Sequence, residues 1–253
     1  MRLRVLAIAV CAAGLGLTAC HNRAAETTGG RAAQVQPAPA DAAYASVLRD
    51  WVKNGRVDYE GLKAESAQTP KAYMRSLAEP RRFADQDAEL AFWLNAYNAC
   101  VLSRVVARHP RISRAMDVAD FLKVKRWKVA GELRSLDRME NEIIRSRFKD
   151  PRIHFVLVCA ARSCPPLQPR RMTGPSLEAD LDRITRAMVN DARHVQLDAK
   201  AKRLRLARYM SWYRQDFVEK YGSLQAFLLR CLAEPARRQL EAAKHSIEFT
   251  EYD

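Results

Sequence analysis

Leu90 to Val106 is apolar on nearly every face of a helix. A helix that is hydrophobic all round must be buried all round, so this segment has to be the centre of whatever the chain builds. The helical signal around it runs from Asp85 to Arg108 and stops at His109-Pro110, because a proline disfavours helix at the residue before it. Asn95 and Asn98 lie inside the run at i, i+3 and share a face. A buried amide without partners costs about 1–3 kcal/mol, so both must be bonded. They either brace neighbouring loops or offer an amide that orients a base or stabilises an oxyanion.

The rest of the chain supplies shorter elements to cover that helix. Asp41 caps a helix through Tyr44, Val47, Leu48, Trp51 and Val52, and Asn54-Gly55 ends it. Val57 to Tyr59 is a short extended piece, followed by short helices at Leu62 and over Tyr73 to Leu77. Val124 to Val129 alternates apolar and basic residues, which predicts a half-exposed strand that turns at Gly131-Glu132 and returns from Leu133. Ser135 caps a helix from Leu136 to Phe148. Ile153 to Val158 is a continuous β-branched and aromatic run, which predicts a buried strand. An amphipathic helix follows over Ser176 to Val189, then a hairpin with arms at Val195–Leu197 and Leu204–Leu206. Helices over 211–221, 224–232 and 235–243 and a last strand at Ile247–Phe249 complete the reading. The expected class is α+β, mainly helical, with a small mixed or antiparallel sheet and one long buried central helix, in a single globular domain over residues 41–253.

The N-terminus reads as an address. A basic Met1–Arg4 precedes the 13-residue apolar run Val5 to Leu17, which suits a signal peptide and is too short to span a bilayer as a helix. Leu17-Thr18-Ala19-Cys20 then resembles a bacterial lipobox. The resemblance implies cleavage after residue 19 and acylation of Cys20, palmitate being a typical chain, with the lipid bilayer as first partner. His21, rather than Asp, follows Cys20 and implies sorting to the outer membrane, with the domain facing the periplasm. Three acyl chains hold far more firmly than the single chain that binds only marginally. Residues 20–40, poor in large aliphatics, form a flexible tether that reaches about 25 Å. Loss of Arg2 and Arg4 lowers the formal charge from +14 to +12. The remaining arginines are scattered and no basic run is interleaved with aromatics, so a nucleic-acid partner is not expected.

Two further segments carry residues that a core alone would not choose. Glu140 lies beside the buried face set by Leu136, Met139 and Ile143, where a carboxylate is expensive unless paired. It either holds an arginine such as Arg145 or Arg152, or orients a histidine. His154 stands near the start of the expected buried strand, on the face shared by Val156 and Val158, with Cys159 on the other face. Cys164 lies past the strand end, free to turn toward His154, with two prolines fixing its exit and Arg162 nearby to favour a thiolate.

The pieces Val57–Tyr59, Phe92–Asn98, Leu136–Asn141, Asp150–Leu167 with its Cys-Ala-Ala-Arg-Ser-Cys-Pro-Pro core, Ser211–Tyr213 with Asp216-Phe217, and Tyr252-Asp253 agree in order and spacing with a known pattern. They resemble the bacterial and eukaryotic family catalogued as domain of unknown function 547, over roughly residues 44–253. The position after Glu140 is often His in that family and is Asn141 here, which weakens any scheme that needs a second histidine. The resemblance marks the patch and implies no particular reaction.

Two functional schemes stay open. In the first the domain is a thiol hydrolase or acyltransferase, with Cys164 as nucleophile, His154 as base, Glu140 as orienter, and Asn98 or Asn95 as amide donor. In the second it is a non-catalytic module for a small-molecule or envelope ligand or a partner, with Cys159 and Cys164 as a structural disulfide in an oxidising compartment. A metal site drawn from His154, Cys159, Cys164 and Glu140 or His194 lacks tight paired spacing, so neither metal nor cofactor is expected. Cys100 and Cys231 sit in apolar helices and read as inert core.

Overall fold

The computed structural model describes residues 38–65, 69–111 and 118–252. The expected signal peptide, Cys20 and most of the tether lie outside these residues. Helix α1 (Pro39–Trp51) starts two residues before Asp41, with proline at its first turn, where a missing amide hydrogen costs nothing. It leads into a two-stranded ribbon of β1 (Val52–Lys53) and β2 (Arg56–Val57), then α2 (Tyr59–Glu65) and α3 (Thr69–Leu77).

The central helix is α4 (Gln86–Val106), where the apolar run demanded it. Asp85 caps it by accepting the Ala88 amide at 2.7 Å. Every residue from Leu90 to Leu102 is buried. The helix is covered by α2 and α3 on one side and by elements from residues 136–189 on the other. Residues 136–189 form α5 (Leu136–Arg138), a π-helical segment (Met139–Arg145), α6 (Ser146–Phe148), two 3-10 turns (Pro151–Phe155 and Gly174–Ser176) and α7 (Leu177–Val189), of which α5, the π segment, the second turn and α7 pack on α4.

The helix expected from Leu136 to Phe148 is therefore continuous in direction but widened in the middle to π geometry. The half-exposed strand shortens to β3 (Trp127–Val129), paired with β4 (Glu132–Arg134). The strand expected over Ile153–Val158 is not formed. Asp150-Pro151 starts a 3-10 turn there, with the Asp150 carboxylate accepting the Arg152 amide at 2.9 Å, and the residues after it run as an irregular buried segment.

The largest sheet has three strands. β5 (Val195–Asp198) and β6 (Arg203–Leu206) form the expected hairpin, and β7 (Ser246–Phe249) adds to β6 in parallel. Leu204 and Leu206 face inward and Arg203 and Arg205 outward, the period-two pattern of a sheet wet on one face. Between β6 and β7 lie α8 (Arg208–Trp212), α9 (Arg214–Tyr221), α10 (Leu224–Cys231) and α11 (Ala236–Glu241). The class is α+β, mainly helical, with one small mixed sheet and two short ribbons. Among the described residues no helix is long and apolar enough to cross a membrane.

Candidate functional site

The two asparagines of α4 bind backbone, not each other. Asn98 donates through Nδ2 to the Val156 carbonyl at 3.0 Å and accepts the Val158 amide on Oδ1 at 3.0 Å. Asn95 does the same to one residue, donating to the Met172 carbonyl at 2.8 Å and accepting its amide at 2.9 Å. Each amide thus spends its carbonyl and a donor on bracing a loop, which is the first of the two roles set out for them.

The π segment carries Glu140, Asn141 and Arg145, and the first and last of these bond Tyr213 and Asp216 at α8 and α9. Such widened turns re-aim side chains and recur at functional sites. Glu140, buried, accepts the Tyr97 hydroxyl at 3.0 Å and the Tyr213 hydroxyl in a very short bond. Among the described residues its carboxylate holds no arginine and no histidine. Burial, with Glu140 beside them, pushes both phenols well above their ordinary pKa, so they stay donors. Asn141 bridges Asp137 at 3.0 Å and Arg145 at 2.6 Å. Arg145 then grips both oxygens of Asp216, at 2.8 and 2.7 Å, in the two-pronged geometry that suits a guanidinium.

His154 enters from the 3-10 turn. Its Nε2 lies 2.7 Å from Asp216 Oδ2, and its ring stacks on Tyr213 with centroids 3.9 Å apart. Burial holds the imidazole pKa below its ordinary value, against the pull of Asp216. The neutral ring therefore donates Nε2–H to the carboxylate. For Asp216, burial would raise the pKa, but the bonds from His154 and Arg145 overcome it and hold the carboxyl well below the usual range. Arg145 also lies over the Tyr213 ring, 4.9 Å from its centroid.

Cys159 and Cys164 are joined in a disulfide that closes the turn between them. The Tyr252 hydroxyl caps both sulfurs, at 2.7 Å from Cys159 Sγ and 3.2 Å from Cys164 Sγ. Burial, with Glu140 beside it, pushes the Tyr252 pKa up to about 12. Trp212, half-exposed, leans on Tyr252 with centroids 4.6 Å apart. As a disulfide, Cys164 carries no free thiol in this structure, and Nε2 of His154 lies against Asp216. Glu140 orients tyrosines rather than the histidine. Cys100 and Cys231 are free, and burial raises the pKa of both thiols, as inert core cysteines require.

The disulfide loop forms one wall of a groove of about 790 Å³. The β1–β2 turn lines it too, and there Gly55 has a φ of +74° and a Cβ on it would stand 2.5 Å from Pro166 Cβ. Only glycine lets this turn seat against the proline. A second cavity of about 350 Å³, mostly apolar, lies among α1, α2, α3 and α4. Among the described residues no group of three His, Cys, Asp or Glu side chains is placed to hold a metal ion.

Asp216, Tyr97, Tyr213 and Tyr252 were not singled out as site residues from the sequence. The Tyr97 hydroxyl is what ties α4 to Glu140. Tyr213, Asp216 and Tyr252 all fall in the short pieces that carried the resemblance, which was the available signal.

Comparison with known proteins agrees with that resemblance over the middle of the chain. The model of the family described as protein of unknown function, DUF547, matches residues 81–189. The match takes in Asn95, Asn98, Glu140, His154 and the disulfide, and stops short of Tyr213, Asp216 and Tyr252. No curated protein and no solved structure matches the chain.

Proposed function

We propose that this chain is a lipid-anchored envelope protein, acylated on Cys20 and held at the outer membrane, whose periplasmic domain binds a ligand in the groove beside the Cys159–Cys164 loop. The observation that carries the reading is the disulfide-pinned wall of that groove. A disulfide suits an oxidising compartment and is rare in the cytosol. The loop is further fixed by Tyr252 on its sulfurs, by Asn98 on the backbone at Val156 and Val158, and by Pro166 against Gly55. A wall fixed in advance loses little entropy on binding. The polar groups of the neighbouring cluster are bonded to one another, which is how a scaffold is braced. The groove volume is within the roughly 300–1,000 Å³ typical of small-molecule sites.

The test is expression in a diderm bacterium with radiolabelled palmitate, followed by fractionation and thiol alkylation. The reading expects label on the wild type, none on Cys20→Ala, recovery with the outer membrane, and no alkylation of Cys159 or Cys164 before reduction. Unlabelled soluble protein would overturn the anchor. A Cys164 that alkylates quickly without reductant, and more slowly in His154→Gln, would overturn the binding reading in favour of thiol chemistry.

A further inference from the structure

The groove is lined by more positive charge than it neutralises. Among the described residues Arg56, Arg162 and Arg193 line it, against the one carboxylate of Glu251. Arg193 is held by Asp191, with bonds of 2.5 to 3.1 Å. The Arg56 and Arg162 side chains form no hydrogen bond or ion pair among the described residues, although like charges sharing one concavity repel. They come from separate segments of the lining, Arg56 on β2 and Arg162 within the disulfide loop.

The lining also holds an apolar stretch, Val101, Leu102 and Val158, from the buried core. A second and independent observation is His194, which lines the same groove while only 5% exposed. Its Nδ1 has no hydrogen-bond partner among the described residues. Buried polar atoms are rarely left so, because an unmade bond there is costly.

We infer that the groove binds an amphiphilic anion, with a carboxylate or phosphate met by Arg56 and Arg162, a polar group within reach of His194, and an apolar body along Val101, Leu102 and Val158. Guanidinium forks suit both anionic groups. A purely polyanionic ligand would leave the apolar floor unused, and a neutral apolar one would leave two arginines without a counter-charge. The inference rests on the domain being a binding module and names the class of its ligand.

The test is equilibrium dialysis of the full-length chain in phosphatidylcholine nanodiscs against hexyl phosphate, hexanoate and hexanol, with empty discs as the blank. Both anions should bind at least about tenfold more tightly than hexanol. The double variant Arg56→Gln/Arg162→Gln should lose that preference while keeping its hexanol affinity and its unfolding temperature. Arg237→Gln, a surface change outside the groove, should behave as wild type. Hexanol binding as tightly as the anions, or a double variant that keeps the preference, would overturn the anion assignment and leave a binding module standing. Binding of none of the three probes would sink both. Mass spectrometry of the washed protein identifies the source: a retained fatty acid or lipid phosphate marks a membrane ligand, and a bare protein that still takes hexyl phosphate marks a soluble one. Either result supports the shared chemistry.

Discussion

His154 and Asp216, 62 residues apart in the chain, meet at 2.7 Å with the imidazole neutral and the carboxylate ionised. The pairing welds the 3-10 turn of Pro151–Phe155 to α9, and Arg145 locks it from the π segment. The same carboxylate therefore sets the histidine's tautomer and ends an arginine's search for a partner.

This pair gives the domain a pH signature. The His154 pKa is depressed in the folded state, so the unfolded chain takes up a proton below about pH 6.5 that the native state refuses. Stability should fall as pH drops from 7 to 5, and His194, depressed in the same direction by burial, adds to the loss. Asp216 adds a second loss below roughly pH 4, where the unfolded carboxyl protonates and the native one does not. Urea midpoints measured from pH 8 to pH 3 should show both stages. His154→Gln should flatten the first.

The Asn98 brace should be expensive to remove. Asn98→Leu leaves the Val156 carbonyl and the Val158 amide unpaired in the core, at about 1–3 kcal/mol for each lost partner. Asn98→Asp loses the donor and buries a charge, so it should be worse than the apolar change at pH 7 and recover in part on acidification. Chemical denaturation of the two variants at pH 7 and pH 5 checks the order.

Glu140 offers a graded series. Glu140→Ala strands the Tyr97 and Tyr213 hydroxyls and should cost about 2–4 kcal/mol. Glu140→Gln keeps one acceptor, and a tyrosine oxygen accepts from its amide, so the loss should be less than half as large. Thermal unfolding of both variants beside wild type reads the difference.

Legibility stopped where distance along the chain became large or where two backbones fit one pattern. The run at Leu90–Val106 could only be a buried helix, and the alternation at Arg203–Leu206 could only be a half-wet strand. Ile153–Val158 was ambiguous, because a short apolar run suits a buried strand and a buried turn equally. Asp150-Pro151 was the arbiter, being a start signal for a helical turn. No periodicity announces the π segment at Met139–Arg145, so the aim of Glu140 and Arg145 was hidden. The residues themselves were visible, and Glu140, His154, Cys159 and Cys164 do lie in one region. Their partners were not, because Tyr213, Asp216 and Tyr252 come from 62 or more residues further along.

The disulfide closes a loop of a few residues, so chain entropy alone makes it worth about 2 kcal/mol. Cys159→Ser/Cys164→Ser should lose that amount in urea titrations, and wild type under strong reductant should match it. A larger loss in the variant than in the reduced protein would show that the serines also disturb the Tyr252 cap.

Gly55→Ala should cost more than a surface glycine warrants. The new Cβ meets Pro166 at 2.5 Å and the φ of +74° is strained for alanine, for a combined loss of about 1–2 kcal/mol. The turn and the proline must part, so solvent exchange at the amides of residues 160–164 should quicken. Unchanged exchange would show that the turn alone absorbs the strain.

Asn95 and Asn98 do for their loops what a neighbouring strand does in a sheet. Each offers one donor and one acceptor, side by side, to a stretch of backbone outside any sheet. A helix thus impersonates the edge of a sheet, at two points, with four atoms. The segments it reads are recognised by main chain alone, so the identities of Val156, Val158 and Met172 are free to drift within the limits of packing. The two amides are not, and substitutions tolerated across this chain's variants should thin out there first.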